Sequence, residues 1–191
     1  PVLWVGMDVI ASLSYDGYSP VDQTISELSA IGTPTRTFWL VGGVAFGLLE
    51  IAFAGGVWQL AGRRRALRIV AVLLTTHAIL NLAAGPFSST HQREVLAAGG
   101  GTLSDTLHLV VVGIGAIIFL SVIGLAATVF GTRFRVYSAV TVVAMLVFGF
   151  ITSMYASDVS ANEPTPWVGV YERINAHGYM LWLVVLASAL L

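Results

Sequence analysis

The sequence predicts an all-α membrane protein, one domain over residues 1–191 in which six helices cross the bilayer. Hydrophobic residues make up 57% of the chain and charged residues only 10%. Soluble domains contain about 25% charged residues, so this composition cannot cover a water-facing surface. In addition, apolar runs of about the 20 residues that a membrane helix needs alternate with short polar segments.

Five apolar runs are long enough to cross a bilayer, and polar turns or arginine clusters separate them. They span residues 37–61, 66–86, 105–130, 136–155 and 173–191. A sixth run, residues 1–13, is too short to span alone. We expect it to be the end of a first helix whose start lies outside this chain, and we expect the last run to continue beyond its apolar end as well.

Arginine distribution predicts the orientation of the helices. The chain has no lysine, and six of its nine arginines lie in two short turns, "GRRRALR" around residues 62–68 and "GTRFR" at 131–135. The positive-inside rule places such turns in the cytoplasm. The other three loops are longer and more acidic, and they would then face outward from the plasma membrane.

The first outer loop contains the stretch "YSPVDQTISELSAIGTP". Ser19 is a favourable N-cap, and Pro20 suits the first position of a helix. Apolar residues then recur at nearly helical spacing as far as Ile31, and Gly32 can end the helix. We therefore expect a short amphipathic helix that lies on the outer membrane surface or covers the bundle.

Composition also excludes several classes of function. The formal net charge is −1, so the basic surface that nucleic-acid binding requires is missing. The chain has no cysteine, which excludes thiol catalysis and cysteine-ligated metal sites. Arginine without lysine, together with abundant alanine, glycine and valine, indicates a GC-rich bacterial source.

Two motifs carry a resemblance to a known family. The first is the order Y-x-P-x-x-x-x-I-S-E-L-x-A-x-G-x-P in the first outer loop, and the second is "YERINAHGYMLW" at the start of the last helix. The outer-loop stretch that ends at His108 is a looser match. In these motifs, and in helix count and loop order, the chain resembles the domain of unknown function 998 family. The resemblance implies a six-helix membrane protein and supplies no catalytic residues.

Ionisable residues at membrane depth are costly and are therefore candidates for function. Residues 37–61 and 66–86 form a hairpin, and Glu50 and His77 lie equally far from its turn, at roughly 18–20 Å. Glu50 shares a helix face with small residues, which favours an inward position. Asn81 lies one turn beyond His77. We predict a Glu50–His77 contact, either a structural hydrogen bond or a proton-handling or ligand-binding pair.

A second polar layer lies near the outer ends of the helices. Asp8, Asn81, His108 and His177 all fall within about two turns of these ends. Asp105 shares a helix face with His108, and Arg173 shares one with His177, with Glu172 adjacent. These residues either cap and pair the helix ends or form a polar pocket that opens to the outer leaflet.

The first-loop helix is a candidate rim for this pocket. Its polar residues Asp22, Ser26 and Glu27 would be free to face the last helix. Arg173 is the cationic residue at the entrance of that helix, so we predict an ion pair between Arg173 and Glu27 or Asp22. The alternative is that Arg173 pairs with Glu172 or with lipid phosphate and that the loop is independent.

Three functions fit these residues. The first is binding of a lipid or another amphipathic small molecule in the outer pocket. A related role is that of an accessory subunit, which would bind a membrane protein partner or a second copy of the chain. Neither role requires a cofactor. The second is a zinc-dependent intramembrane hydrolase with His77, His108 and His177 as ligands and an acid such as Asp105 as base. The third is a haem-binding electron carrier that uses His108 and His177.

Overall fold

The computed structural model describes residues 1–191, of which 77% are helical and none form a strand. Two short 3-10 helices lie in the loops, at Ile25–Ser29 and Gly85–Phe87. The α-helices are α1 Val2–Ser14, α2 Arg36–Ala61, α3 Arg65–Ala84, α4 Arg93–Ala97, α5 Leu103–Ala127, α6 Thr132–Met154, α7 Ala156–Ser160 and α8 Val168–Leu190.

Four helical segments are long and apolar enough to cross a membrane. They are Arg36–Ala61, Arg65–Phe87, Leu103–Ala127 and Thr132–Ser160, the last of which joins α6 to α7. The 13 residues of α1 form a shorter apolar helix. The 23 residues of α8 have sufficient length, but Arg173, Asn175 and His177 lower the hydropathy of its first half. The protein is therefore embedded in a membrane, as its composition predicts.

The long helices form a ring. In order around the ring, the neighbours are α1, α2, α3, α5, α6 and α8, and α8 contacts α1 to close it. Short turns join α2 to α3 and α5 to α6 at one end, which carries most of the arginines and is called the arginine end. Residues 15–35, 85–102 and 155–167 meet at the opposite end and form the loop-end cap.

The largest cluster of buried apolar side chains lies toward the arginine end. Leu67, Leu74, Val122 and Leu186 are completely buried there, so side chains fill the middle of the ring. Trp182 is also fully buried, and its indole nitrogen donates a 2.9 Å hydrogen bond to the Ser138 hydroxyl. This end is a filled core, and the space between the helices opens only nearer the cap.

Gly47 explains how closely α2 approaches α3. A Cβ at this position would lie 2.9 Å from Cγ of Leu82, which is closer than a packed methyl group allows. A small residue here lets the two backbones approach, as in other membrane helix pairs. The contact holds the cavity-facing sides of α2 and α3 in register.

The first loop differs from its predicted form. Only Ile25–Ser29 is helical, as one 3-10 segment, and residues 19–23 form a turn in which the Asp22 and Gln23 amides donate to the Ser19 carbonyl. Thr24 is the N-cap, because a capping box joins it to Glu27. Ile25 and Leu28 are buried against α1 and Trp39. The loop therefore covers the bundle, the second of the two predicted positions, but as a turn with one 3-10 segment and not as an amphipathic helix on the membrane surface.

Tyr18 anchors the turn that precedes this 3-10 segment. Its hydroxyl donates to the Thr24 carbonyl at 2.8 Å and accepts from Nη2 of Arg173 at 2.9 Å. Burial raises the pKa of the Tyr18 hydroxyl, an effect that the Arg173 hydrogen bond only partly offsets. The group therefore stays neutral and keeps its proton for the backbone carbonyl.

Arg93 joins the three loops of the cap. Its Nε and Nη2 donate to the two carboxylate oxygens of Glu27 at 2.5 and 2.8 Å. Nη1 donates to the Thr165 hydroxyl at 2.8 Å, and Nη2 also reaches the Asp22 carbonyl at 3.2 Å. The Arg93 and Glu27 side chains are only 10% and 6% exposed. Because each loop supplies a partner, the buried ion pair fixes the cap as one unit.

Candidate functional site

A cavity of about 410 Å³ lies inside the ring beneath the cap. All six ring helices and the 3-10 segment Ile25–Ser29 contribute to its lining. His108 and Phe119 on α5 both line it, and they are 11 residues apart, which corresponds to about 16 Å along a helix. The cavity therefore runs from the underside of the cap toward the middle of the helices.

The deep end of the cavity contains the Glu50–His77 pair, and its contact is confirmed. Nδ1 of His77 lies 2.9 and 3.0 Å from the two carboxylate oxygens of Glu50, and both residues are buried. The Asn81 amide nitrogen lies 2.9 Å from Nε2 of His77 and donates to the His77 carbonyl at 2.9 Å. Since a carbonyl only accepts, this amide nitrogen is a donor, and Nε2 is the acceptor. The network fits a neutral imidazole protonated on Nδ1.

The outer end of the cavity, which is the end directly beneath the loop-end cap, contains a serine–histidine contact. Nε2 of His108 lies 3.2 Å from the Ser26 hydroxyl, and Nδ1 lies 2.9 Å from the Ser88 carbonyl. Ser26 stands on the 3-10 segment of the first loop, whereas His108 is in the second turn of α5. The cap thus places a hydroxyl from one loop directly against an imidazole from a distant helix.

Glu172 on α8 contacts the same 3-10 segment that carries Ser26. Its carboxylate accepts the backbone N–H of Ile25, and its other oxygen lies 3.4 Å from the Ser26 hydroxyl. No cation pairs with this carboxylate, because the guanidinium of the adjacent Arg173 faces Asp8. Glu172 is therefore an acidic group of the cavity wall that fixes the turn carrying Ser26.

Two polar atoms in the cavity wall have no partner. The hydroxyl of Tyr179, a residue that is 1% exposed, and the indole nitrogen of Trp39 are both buried without a hydrogen bond. Phe119 stacks on Tyr179 with ring centroids 3.7 Å apart and lies 4.2 Å from the His77 ring. This part of the wall is thus aromatic and apolar, and its two unpartnered polar atoms are themselves buried.

Arg173 pairs with Asp8 and not with the first-loop carboxylates. Its Nε and Nη2 donate to the two oxygens of Asp8 at 3.0 and 2.8 Å, and Nε2 of His177 lies 3.0 Å from the same carboxylate. The predicted pair of Arg173 with Glu27 or Asp22 is therefore wrong. Arg173 does hold the first loop, but through the Pro20 carbonyl at 2.7 Å. Asp8 is closer in the folded ring because α1 packs beside α8.

Three further predicted residues stabilise the cap and do not line the cavity. Glu27 pairs with Arg93, and Asp22 accepts the Trp167 backbone N–H at 3.1 Å. Asp105 does not face the cavity with His108; its carboxylate accepts from the Thr102 and His91 amides at 2.7 Å. These side chains form hydrogen bonds or ion pairs with groups in the loops and at helix ends. They therefore follow the alternative in which the polar residues cap and pair the helix ends and do not form a pocket.

The predicted residues therefore separate into three groups. The cavity wall contains six of them, namely Ser26, Glu50, His77, Asn81, His108 and Glu172. A cluster of ionisable side chains between α1 and α8 contains three more, in which Asp8 contacts both Arg173 and His177. The remaining three, Asp22, Glu27 and Asp105, lie in the cap, so the single outer site of the prediction is in fact three adjacent clusters.

The histidine arrangement does not fit the two cofactor hypotheses. His77, His108 and His177 each bond a different partner, and no group of three His, Asp or Glu side chains converges in metal-binding geometry. His108 lines the cavity, whereas His177 lies outside it between Asp8 and Trp4. The proposed zinc set and the proposed haem pair are therefore not assembled by this fold.

Sequence reasoning missed Arg93, Ser88 and Tyr179. Arg93 carried a usable signal, because a lone arginine in one of the acidic loops predicted to face outward needs an anionic partner. Tyr179 follows Arg173 and His177 on α8, but nothing in the sequence says that its hydroxyl is unpartnered. Ser88 acts through its backbone carbonyl, which no residue pattern identifies.

The comparisons with known proteins place this architecture in a family. A family model described as "Protein of unknown function (DUF998)" matches residues 1–189. No curated protein and no solved structure matches the chain. Ser26, Glu172 and His108, which lie in the stretches that carry the resemblance, meet at the outer end of the cavity. The predicted relationship is confirmed, and the chain belongs to the DUF998 family.

Proposed function

We propose that this protein binds a membrane lipid, or a similar amphipathic molecule, in the cavity beneath the cap. The observation that carries the proposal is the cavity itself, whose volume of about 410 Å³ lies in the range of roughly 300–1,000 Å³ typical of small-molecule sites. Such sites combine apolar walls with a few placed polar groups. This cavity has that composition.

The distribution of polar groups supports an amphipathic ligand in particular. Ser26, His108 and Glu172 surround the outer end, where a polar headgroup would lie. Phe119, Tyr179 and Met180 supply apolar surface farther in. At the deep end, Glu50 and His77 already satisfy each other, so they require no ligand charge. One polar end and an apolar interior are the features that a lipid headgroup and acyl chain complement.

A matched pair of glycine substitutions tests ligand binding. Gly43 lines the cavity, and a Cβ there meets no atom within 4 Å. Because a side chain there begins in open space, Gly43→Leu is expected to occupy ligand space and to lower lipid occupancy at least tenfold, measured by native mass spectrometry after detergent extraction. Gly113→Leu, which also meets no neighbour and lies outside the cavity wall, serves as the control. Equal occupancy in both variants would contradict the proposal.

We further propose that six helices cross the plasma membrane with the arginine end in the cytoplasm. The positions of α1 and α8 within the ring support this, because both align beside the four long apolar segments. The cap, with the Ser26 end of the cavity, would then face outward. The arginine turns would obey the positive-inside rule.

The chain contains no cysteine, so single cysteines test this topology without background. Residue 64 lies in an arginine turn, and residue 160 ends α7 in the cap. We expect Arg64→Cys to be labelled by a membrane-impermeant maleimide only after the membrane is opened, and Ser160→Cys to be labelled in intact cells. Labelling of both from the same side would exclude the arrangement.

A further inference from the structure

We propose that Ser26 and His108 form a nucleophile–base pair that cleaves the ester bond of a lipid held in the cavity. This inference rests on the proposed function, since it makes the bound lipid a substrate. It arises from the contact at the outer end of the cavity, where Nε2 of His108 lies 3.2 Å from the Ser26 hydroxyl. A serine hydroxyl needs such a base to act as a nucleophile at neutral pH.

The tautomer of His108 follows from its second contact. Nδ1 lies 2.9 Å from the Ser88 carbonyl, which can only accept a hydrogen bond. The proton of the neutral ring is therefore on Nδ1, and Nε2 carries the lone pair. This lone pair faces Ser26, so His108 is in the form that accepts the hydroxyl proton. The buried Ser88 carbonyl orients the ring, the role that a third group has in serine–histidine sites.

His77, the second histidine of the cavity, differs from His108 because its Nε2 faces a group that cannot act as a nucleophile. His77 has the same arrangement, with Nδ1 toward Glu50 and Nε2 accepting, but the group at its Nε2 is the amide of Asn81. An amide nitrogen that donates to imidazole is not a nucleophile. The Glu50–His77–Asn81 network is therefore complete as a structural unit, whereas His108 faces a group that can react.

The position of Ser26 is fixed from three sides. The capping box between Thr24 and Glu27 holds the 3-10 segment, and the buried Glu27–Arg93 pair holds that segment against the other loops. Glu172 accepts the Ile25 N–H beside it. A nucleophile on a loop needs this support, because small displacements of reacting groups greatly reduce rates. Glu172 also accepts the Ser26 hydroxyl at 3.4 Å, a longer contact than the 3.2 Å to His108, whereas Arg93 acts only through the fold of the cap.

The reaction proceeds in two balanced halves. Ser26 Oγ attacks the ester carbonyl carbon while its proton passes to Nε2 of His108; the C–O bond to the alcohol then breaks, and the alcohol leaves with that proton. Water attacks the acyl-serine with His108 again accepting a proton. The fatty acid departs, and Ser26 Oγ recovers its hydrogen. The net change is ester plus water to acid plus alcohol, with no redox step.

The cavity selects an ester with a long apolar acyl chain. The chain would extend past Phe119 and Tyr179, and the headgroup alcohol would remain near the cap.

An alkyl fluorophosphonate, which phosphonylates nucleophilic serines, tests the inference on the full chain in detergent. We expect covalent labelling of the wild-type protein, with peptide mapping placing the adduct on Ser26. Ser26→Ala should abolish the label. His108→Gln should slow labelling at least about 100-fold, the usual minimum contribution of a general base. The control is Ser14→Ala, since Ser14 is exposed on α1 and bonds only the Ile10 carbonyl; it should label as the wild type does.

Lipid occupancy, measured by native mass spectrometry on the same samples, separates the two proposals. Lipid that is retained while Ser26 resists the probe would overturn the esterase inference and leave the binding function intact. Labelling of His108→Gln at the wild-type rate would also overturn it, since the base would then be unnecessary. Absence of bound lipid in Ser26→Ala, which cannot cleave it, would overturn the binding function and the esterase inference together.

Discussion

Replacement of Arg93 by methionine is expected to lower the free energy of unfolding by about 3–5 kcal/mol, the cost of leaving one partner of a buried ion pair without the other. Glu27, which is 5% exposed in the native protein, would keep neither of its two guanidinium bonds. The substitution also removes the donor to Thr165, so all three loops lose an attachment. Reversible unfolding in detergent measures the loss.

The matched control is Arg133→Met at the arginine end, where the side chain is exposed. It should change stability by no more than about 0.5 kcal/mol. The double variant Arg93→Met with Glu27→Met should lose less than the sum of the single losses, since an apolar pair can replace a buried ion pair at low cost. Strictly additive losses would show that the two residues are not coupled.

Asp8→Asn is expected to have the second large effect, again about 3–5 kcal/mol, because it leaves the Arg173 guanidinium largely buried without a counter-charge. Asp8 is 2% exposed and receives both Arg173 and His177. Loss of this carboxylate removes the main polar connection between α1 and α8. Those two helices close the ring, so we also expect their contact to become more accessible to proteolysis.

Asp16→Asn is the control, since Asp16 is exposed in the loop after α1. Its effect on unfolding should be no more than about 0.5 kcal/mol. A double-mutant cycle of Asp8→Asn with Arg173→Gln should show strong coupling. Stronger coupling of Arg173→Gln to Glu27→Gln than to Asp8→Asn would contradict the Arg173–Asp8 pair and would favour the Arg173–Glu27 pair predicted from the sequence.

Helix periodicity explains why some site predictions succeeded. Glu50 and His77 lie on consecutive helices joined by a short turn, so counting residues from that turn sets both depths. The small residues beside Glu50 then set its direction. Local geometry is sufficient in such a hairpin, and the observed contact of 2.9 Å follows.

The contacts of Arg173 could not be predicted in this way. Glu27, Asp22, Glu172 and Asp8 were all carboxylates at the same membrane face, and depth alone does not rank them. The order of helices around the ring decides the partner, and that order depends on packing between segments distant in sequence. Arg93 pairs with Glu27 because the second loop folds over the first. The backbone hydrogen bond of 2.7 Å between Ile31 and Thr90 shows this contact between the two loops.

The sequence by itself determined the membrane class, the family and the approximate limits of the long helices, because hydropathy and helix periodicity are local properties of the chain. Tertiary structure alone decided that the first loop is folded into the bundle, that the ion pairs are Arg93–Glu27 and Arg173–Asp8, and that Ser26 faces His108. These contacts join residues up to 165 positions apart. Their formation depends on how six helices close into a ring, which no local pattern encodes.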